Sequence, residues 1–81
     1  MDITIAGPGC SRCHATEANV RKACDELNLP AQIHHLYDVR EFAKLGVRLT
    51  PAVLVDGRIV ASGKVPTVDE LKGWLAAAKA G

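Results

Sequence analysis

Residues 2–6, Asp-Ile-Thr-Ile-Ala, alternate polar and apolar positions and end at Gly7-Pro8-Gly9. A period of two predicts a strand, and the Gly-Pro-Gly run predicts a tight loop after it. The period then lengthens. From Arg12 to Leu27 the positions Cys13, Thr16 or Glu17, Val20, Cys24 and Leu27 recur on one helical face, with Ala15, Ala18 and Ala23 adding helix propensity. Asn28-Leu29-Pro30 ends that helix. Ala31 to Tyr37 reads as a short strand, its alternation broken by two adjacent histidines.

Asp38 is placed to cap a short helix through Leu45, and Gly46 falls where a left-handed cap would end it. After Leu49-Thr50-Pro51, the continuous apolar run Ala52-Val53-Leu54-Val55 predicts a buried strand. Asp56-Gly57 predicts a two-residue type I′ hairpin, because both central positions of that turn need positive φ, and Arg58 to Ala61 is then the returning strand. Thr67 and Glu70 form a capping box ahead of a last helix whose apolar stripe is Val68, Leu71, Trp74, Leu75 and Ala78. The predicted order is β-α-β-α-β-β-α. Strands joined by a helix run parallel and the hairpin adds an antiparallel pair, so the expected architecture is α/β, a four-stranded mixed sheet with helices on both faces.

Composition narrows the function. With 81 residues the chain is long enough for one domain, 1–81, and too short for two separate cores. Ten Lys and Arg against nine Asp and Glu give a net charge of +1 with no like-charge block, which supplies no footprint for nucleic acid or an anionic membrane. No apolar run reaches the roughly 20 residues of a membrane span, and Met1 to Cys10 lacks the basic and apolar regions of a signal peptide. Cytoplasmic residence is therefore the expectation. Three cysteines in such a compartment suit reactive or metal-binding thiols better than a structural disulfide framework.

Cys10-Ser11-Arg12-Cys13 brings two thiols together at the start of a helix. Cys10, at the N-terminal end, faces free backbone N–H groups and the positive end of the helix dipole, which favour thiolate. Arg12 and His14 are further possible modulators of its acidity. Thiolate is the attacking species in disulfide exchange, so Cys10 is expected to be the nucleophile and Cys13 the resolving thiol. Gly7 and Gly9 would keep the approach open.

Taken together, Gly9-Cys10-Ser11-Arg12-Cys13 after the first strand, Thr50-Pro51-Ala52 before the third, Asp56-Gly57 in the hairpin and Ser62-Gly63-Lys64-Val65-Pro66 before the last helix resemble the small thioredoxin-like redox-active disulfide proteins of the thioredoxin superfamily. The resemblance runs nearly end to end. It implies a thioredoxin-like fold and a thiol–disulfide oxidoreductase whose only redox group is the Cys10–Cys13 disulfide, with no separate cofactor. It also implies a cis proline at Pro51 and a substrate-docking edge at Thr50 and Pro51, where an extended chain would add as a strand. On its own residues Pro51 reads as an ordinary strand-start proline, since only about 5–6% of X-Pro bonds in folded proteins are cis, and the resemblance alone points to cis. Implied partners are a disulfide-containing protein or small molecule and an electron donor such as a thioredoxin reductase-like enzyme or glutathione, with the chain acting as a monomer. Two departures from the larger thioredoxins are visible: Gly9 stands where a tryptophan commonly precedes the motif, and Thr4 where a buried acidic residue is usual.

Other candidate residues have simpler roles. Cys24, eleven residues beyond Cys13 on one helix, is roughly 16 Å away, too far for a disulfide and well placed for the core. His34 and His35 point to opposite faces of a regular strand, which makes them a poor metal pair, and at least one should be solvated. Trp74 reads as a packing residue. Cys10 to His14 also satisfies the C-x-x-C-H haem-attachment pattern, but the only Met is residue 1 and the alternating strands disagree with a small helical cytochrome. A soft-metal carrier for Cu(I) or Zn is the stronger rival on the first thirty residues. Such carriers pass from their first helix directly into a hairpin, whereas Asp38 to Leu45 interposes a helix. A redox-regulated binding module is the third reading.

Overall fold

The computed structural model describes residues 1–9 and 11–80, with side chains through Ala78. The elements follow in the order β1 (Asp2–Ala6), α1 (Ser11–Glu26), β2 (Gln32–Leu36), α2 (Val39–Leu45), β3 (Ala52–Val55), β4 (Arg58–Ser62) and α3 (Val68–Ala80). Local chemistry sets most of these limits. At the end of α1, Asn28 takes φ +51°, Leu29 N–H donates to the Cys24 carbonyl at 2.9 Å and Asn28 N–H to that of Asp25 at 3.2 Å. This pair of bonds is a Schellman closure. The same closure ends α2, where Gly46 has φ +80° and Val47 N–H reaches the Phe42 carbonyl at 2.8 Å. Asp38 caps the start of α2 by accepting from Arg40 N–H at 2.9 Å.

Ahead of α3, Glu70 N–H donates to Thr67 Oγ1 and Thr67 N–H to Glu70 Oε1, both at 3.1 Å, the reciprocal bonds of a capping box. The turn between β3 and β4 has φ +49° at Asp56 and +87° at Gly57, as a type I′ hairpin requires.

The sheet order is β2-β1-β3-β4, with β1 parallel to β2 as expected for strands joined by a helix, and β3 antiparallel to β4. Although joined to β2 through α2, β3 runs antiparallel to β1 and so opposite to β2, against that expectation. Strand alternation sends side chains to two cores. Ile3, Ile5, Val53 and Val55 pack with Val20, Ala23 and Cys24 of α1 and Leu71 and Leu75 of α3. Ala6, Ala52 and Leu54 pack with Phe42 of α2 and Val47 on the other face. Helices therefore cover both faces. Fully buried Ile and Leu side chains each contribute about 1.5–3 kcal/mol. Four of them, Ile3, Ile5, Leu71 and Leu75, lie on the α1/α3 side, which makes it the principal source of stability.

One feature of β4 departs from simple alternation. Val53 pairs with Ala61 but Leu54 pairs with Ile59, leaving Val60 as an extra residue. A bulge of this kind lets Ala61 enter the α1/α3 core while Ile59 faces Gly46 beside α2.

Candidate active site

Position and packing at the start of α1 define the site. β1 ends at Ala6, the chain turns through Gly7-Pro8-Gly9, and α1 begins at Ser11. Cys10, the expected nucleophile, lies outside the described residues. Cys13, in the first turn of α1, is fully buried. Its sulfur fills the space beside Gly7: a β-carbon on Gly7 would overlap Cys13 Sγ, and would lie 4.0 Å from Pro51 Cα. A residue without a side chain thus lets β1, Cys13 and Pro51 converge.

The Thr50–Pro51 peptide bond is cis. Pro51 is fully buried and Thr50 half-buried. The Pro51 carbonyl accepts from Gly63 N–H at 3.0 Å, and Ser62 Oγ donates to the Leu49 carbonyl at 3.2 Å, so the end of β4 holds the segment before β3 from the side. Arg12 closes the frame. Its Nη2 donates to the Gly63 carbonyl at 3.2 Å, linking the first turn of α1 to the loop that holds Pro51. The sequence makes Arg12 a possible modulator of Cys10 acidity; the structure gives its guanidinium a backbone partner from a segment 51 residues away.

His14, the other expected modulator, is exposed on α1, and its ring centroid lies 6.0 Å from that of His35 at a tilt of 59°. His34 is exposed, whereas the His35 side chain retains only 7% of its exposure. His35 faces α1 because it is in register with Ile5, whose side chain lies in the α1/α3 core. There His35 Nδ1 meets Glu17 Oε1 at 3.3 Å. The neighbouring position, Thr16, is the buried one of the pair considered for the apolar face. Its hydroxyl donates to the Arg12 carbonyl at 2.8 Å.

Cys24 stands apart from the site, in the main core. Burial pushes its thiol pKa up and the charge of Asp25 adds to the rise. Both effects disfavour the reactive thiolate.

Sequence reasoning missed the contacts that join distant segments: Arg12 with Gly63, Glu17 with His35, and Tyr37 with Gly9. A β-carbon at Gly9, which has φ +90°, would lie 3.0 Å from Tyr37 Cε1. Exposed Leu49 plays the matching part at Gly63, where φ is +76° and a β-carbon would lie 3.0 Å from Leu49 Cβ. The positive φ values fit the presence of glycine at both places, but neither partner could be read from the sequence.

The fold is a thioredoxin-like α/β fold, with a buried cysteine on the first turn of α1 facing a glycine and a cis proline from two different strand ends. Comparison with known proteins agrees with that architecture. Residues 1–76 match the thioredoxin domain family. The chain is 46% identical over 73 residues to a thioredoxin of Methanocaldococcus jannaschii, covering 90% of this chain and 84% of that protein. It is 32% identical over 75 residues to a thioredoxin of Methanothermobacter thermautotrophicus, covering 93% and 97%. The chain therefore belongs to the thioredoxin family. The general activity that accompanies this membership is thiol–disulfide oxidoreduction.

Proposed function

We propose that the chain reduces protein or small-molecule disulfides by dithiol exchange, with Cys10 as nucleophile and Cys13 as resolving thiol. The observation that supports this division of roles is the complete burial of Cys13. A buried thiol is poorly placed to attack a disulfide arriving from solvent, because exchange requires access as well as thiolate character. It is well placed to attack a sulfur delivered to it by covalent attachment at the other cysteine of the motif.

In the first step the Cys10 thiolate attacks one sulfur of the substrate disulfide. The substrate S–S bond breaks, a Cys10–substrate mixed disulfide forms, and the released thiolate takes a proton from solvent. Cys13 then loses its proton and attacks Cys10 Sγ. The mixed disulfide breaks, the second substrate thiol leaves, and the Cys10–Cys13 disulfide remains. Two electrons have passed to the substrate, and an external dithiol system or glutathione must return them.

Thr50 and Pro51 serve in this reading as the docking edge for an extended substrate segment, with main-chain hydrogen bonds supplying affinity and little sequence preference. The convergence of Pro51 with Gly7 and Cys13 supports that role. The helix α2 between β2 and β3 counts against the soft-metal carrier, which lacks such an element.

Turnover of insulin disulfides with dithiothreitol as donor tests the proposal. The wild-type chain should accelerate precipitation of the reduced insulin chains, Cys10→Ser should abolish the acceleration, and Cys13→Ser should trap a mixed disulfide visible by mass. A Cys10→Ser protein as active as wild type would remove Cys10 from the role of nucleophile.

A further inference from the structure

Tyr37 carries an aromatic ring that is 55% exposed, yet it is held on two sides. One face stacks on the His35 ring, with centroids 4.1 Å apart and planes 3° from parallel. Its Cε1 and Cδ1 fill the space over Gly9, 3.0 and 3.3 Å from where a β-carbon would stand. His35 is fixed in turn by Glu17 from α1, which also meets Arg21 Nε at 3.6 Å. Because an ionised carboxylate only accepts, the His35–Glu17 bond places the imidazole hydrogen on Nδ1. Nε2 is then buried with no hydrogen-bond partner among the described residues. Of the other ionisable groups facing this ring, His14 lies at 6.0 Å between centroids.

We infer that Tyr37 is a positioning residue for the dithiol: stacked on His35, it packs against Gly9 and fixes the Gly7-Pro8-Gly9 turn that precedes the motif. The inference rests on the dithiol reading above and adds to it a residue outside the motif. Three observations support it. The Tyr37 ring occupies the side-chain space that Gly9 leaves empty. Gly9 has φ +90°, a conformation other residues adopt at a cost, so this position carries no side chain of its own and its packing comes from Tyr37. The support is braced from α1 itself through Glu17 and His35, so the turn and the helix it precedes share one reference frame. Loosening this turn would loosen the chain's entry into α1, and the helix-start N–H groups would then favour the thiolate of the motif less.

The test is the pH profile of Cys10 alkylation by iodoacetamide, mapped by peptide mass, in wild type, Tyr37→Phe, Tyr37→Leu and His35→Leu, each checked by circular dichroism. Tyr37→Phe keeps the ring and should match wild type. Tyr37→Leu and His35→Leu should shift the profile to higher pH and slow alkylation near neutrality by about two- to fivefold, the size of a helix-terminus effect. A wild-type profile in folded Tyr37→Leu and His35→Leu would overturn the inference. If neither leucine variant folds, nuclear Overhauser contacts between the Tyr37 ring and the Gly9 α-protons of wild type decide, and their absence overturns it. A shifted profile in a protein with no Cys10–Cys13 redox couple would keep the positioning role and discard the dithiol reading. An intact couple with an unshifted profile would do the reverse.

Discussion

Cys13 Sγ occupies the volume that a side chain on Gly7 would need. The two residues lie on different elements, one just past β1 and the other on α1, and Pro51 closes on the same point. Gly7→Ala must therefore push the sulfur or part the helix from the sheet. Overpacking of this kind costs about 1–3 kcal/mol, and here it also displaces the resolving thiol. Chemical denaturation should show that loss. Release of substrate from the Cys10 mixed disulfide should slow in quenched single-turnover experiments, while formation of that adduct is affected less.

Arg12 ties α1 to Gly63, and Gly63 in turn holds the Pro51 carbonyl. Arg12→Met keeps much of the apolar stem and removes the bond. The bond is exposed, so its contribution to stability is about 1 kcal/mol or less. The larger effect is expected in substrate docking: KM for a disulfide peptide should rise about two- to fivefold, in proportion to a lost bond of that size. An unchanged KM would dissociate the Gly63 loop from docking.

Much of the fold was legible because its signals are local. Asp56-Gly57, Thr67 with Glu70, and Asp38 with Gly46 each fix φ or satisfy helix-end groups within a few residues, and each forms as the sequence predicts. The bulge at Val60 was not legible, since it is set by how β4 must serve α2 and the α1/α3 core at once. At the site, the motif and its helix could be read. The supporting contacts could not, because Arg12–Gly63 and Tyr37–Gly9 join segments far apart in sequence that only strand order brings together. Thr16 and Glu17 show the same limit: both fit the helical face, and only the folded arrangement shows that Thr16 is buried and that Glu17 meets His35 of β2.

Cys24→Ala should leave disulfide turnover unchanged, since Cys24 belongs to the core packed by Val20, Leu71 and Leu75. Deleting its sulfur should lower stability by about 1 kcal/mol. Its pH dependence has a definite sign. Burial, then Asp25, raises the folded-state pKa of Cys24, so its neutral thiol supports the fold below the ordinary cysteine value of 9.0, and that support is lost as pH rises through the raised value. The stability gap between wild type and Cys24→Ala, followed by urea titration, should therefore narrow toward alkaline pH. A gap that widens would contradict the assignment.

Glu70 titrates in the opposite sense. The Lys64 ammonium beside it, 2.6 Å away, and then the Thr67 N–H hold its carboxyl below the usual range. Its contribution is present above the unfolded-state value and disappears as pH falls through the lowered one. Glu70→Gln should lower the thermal midpoint at neutral pH and have a smaller effect in acid. Thr67→Ala, which removes the cap hydroxyl, should cost about 1 kcal/mol.

The central claim is that Cys10 and Cys13 form a reversible two-electron couple. Equilibration of metal-free protein against defined ratios of reduced and oxidised glutathione, followed by alkylation and mass analysis, measures it directly. The account predicts a single transition in which two alkylation sites, at Cys10 and Cys13, are lost together while Cys24 keeps its thiol throughout. Retention of both thiols at every ratio, or formation of glutathione adducts without an internal disulfide, would contradict it.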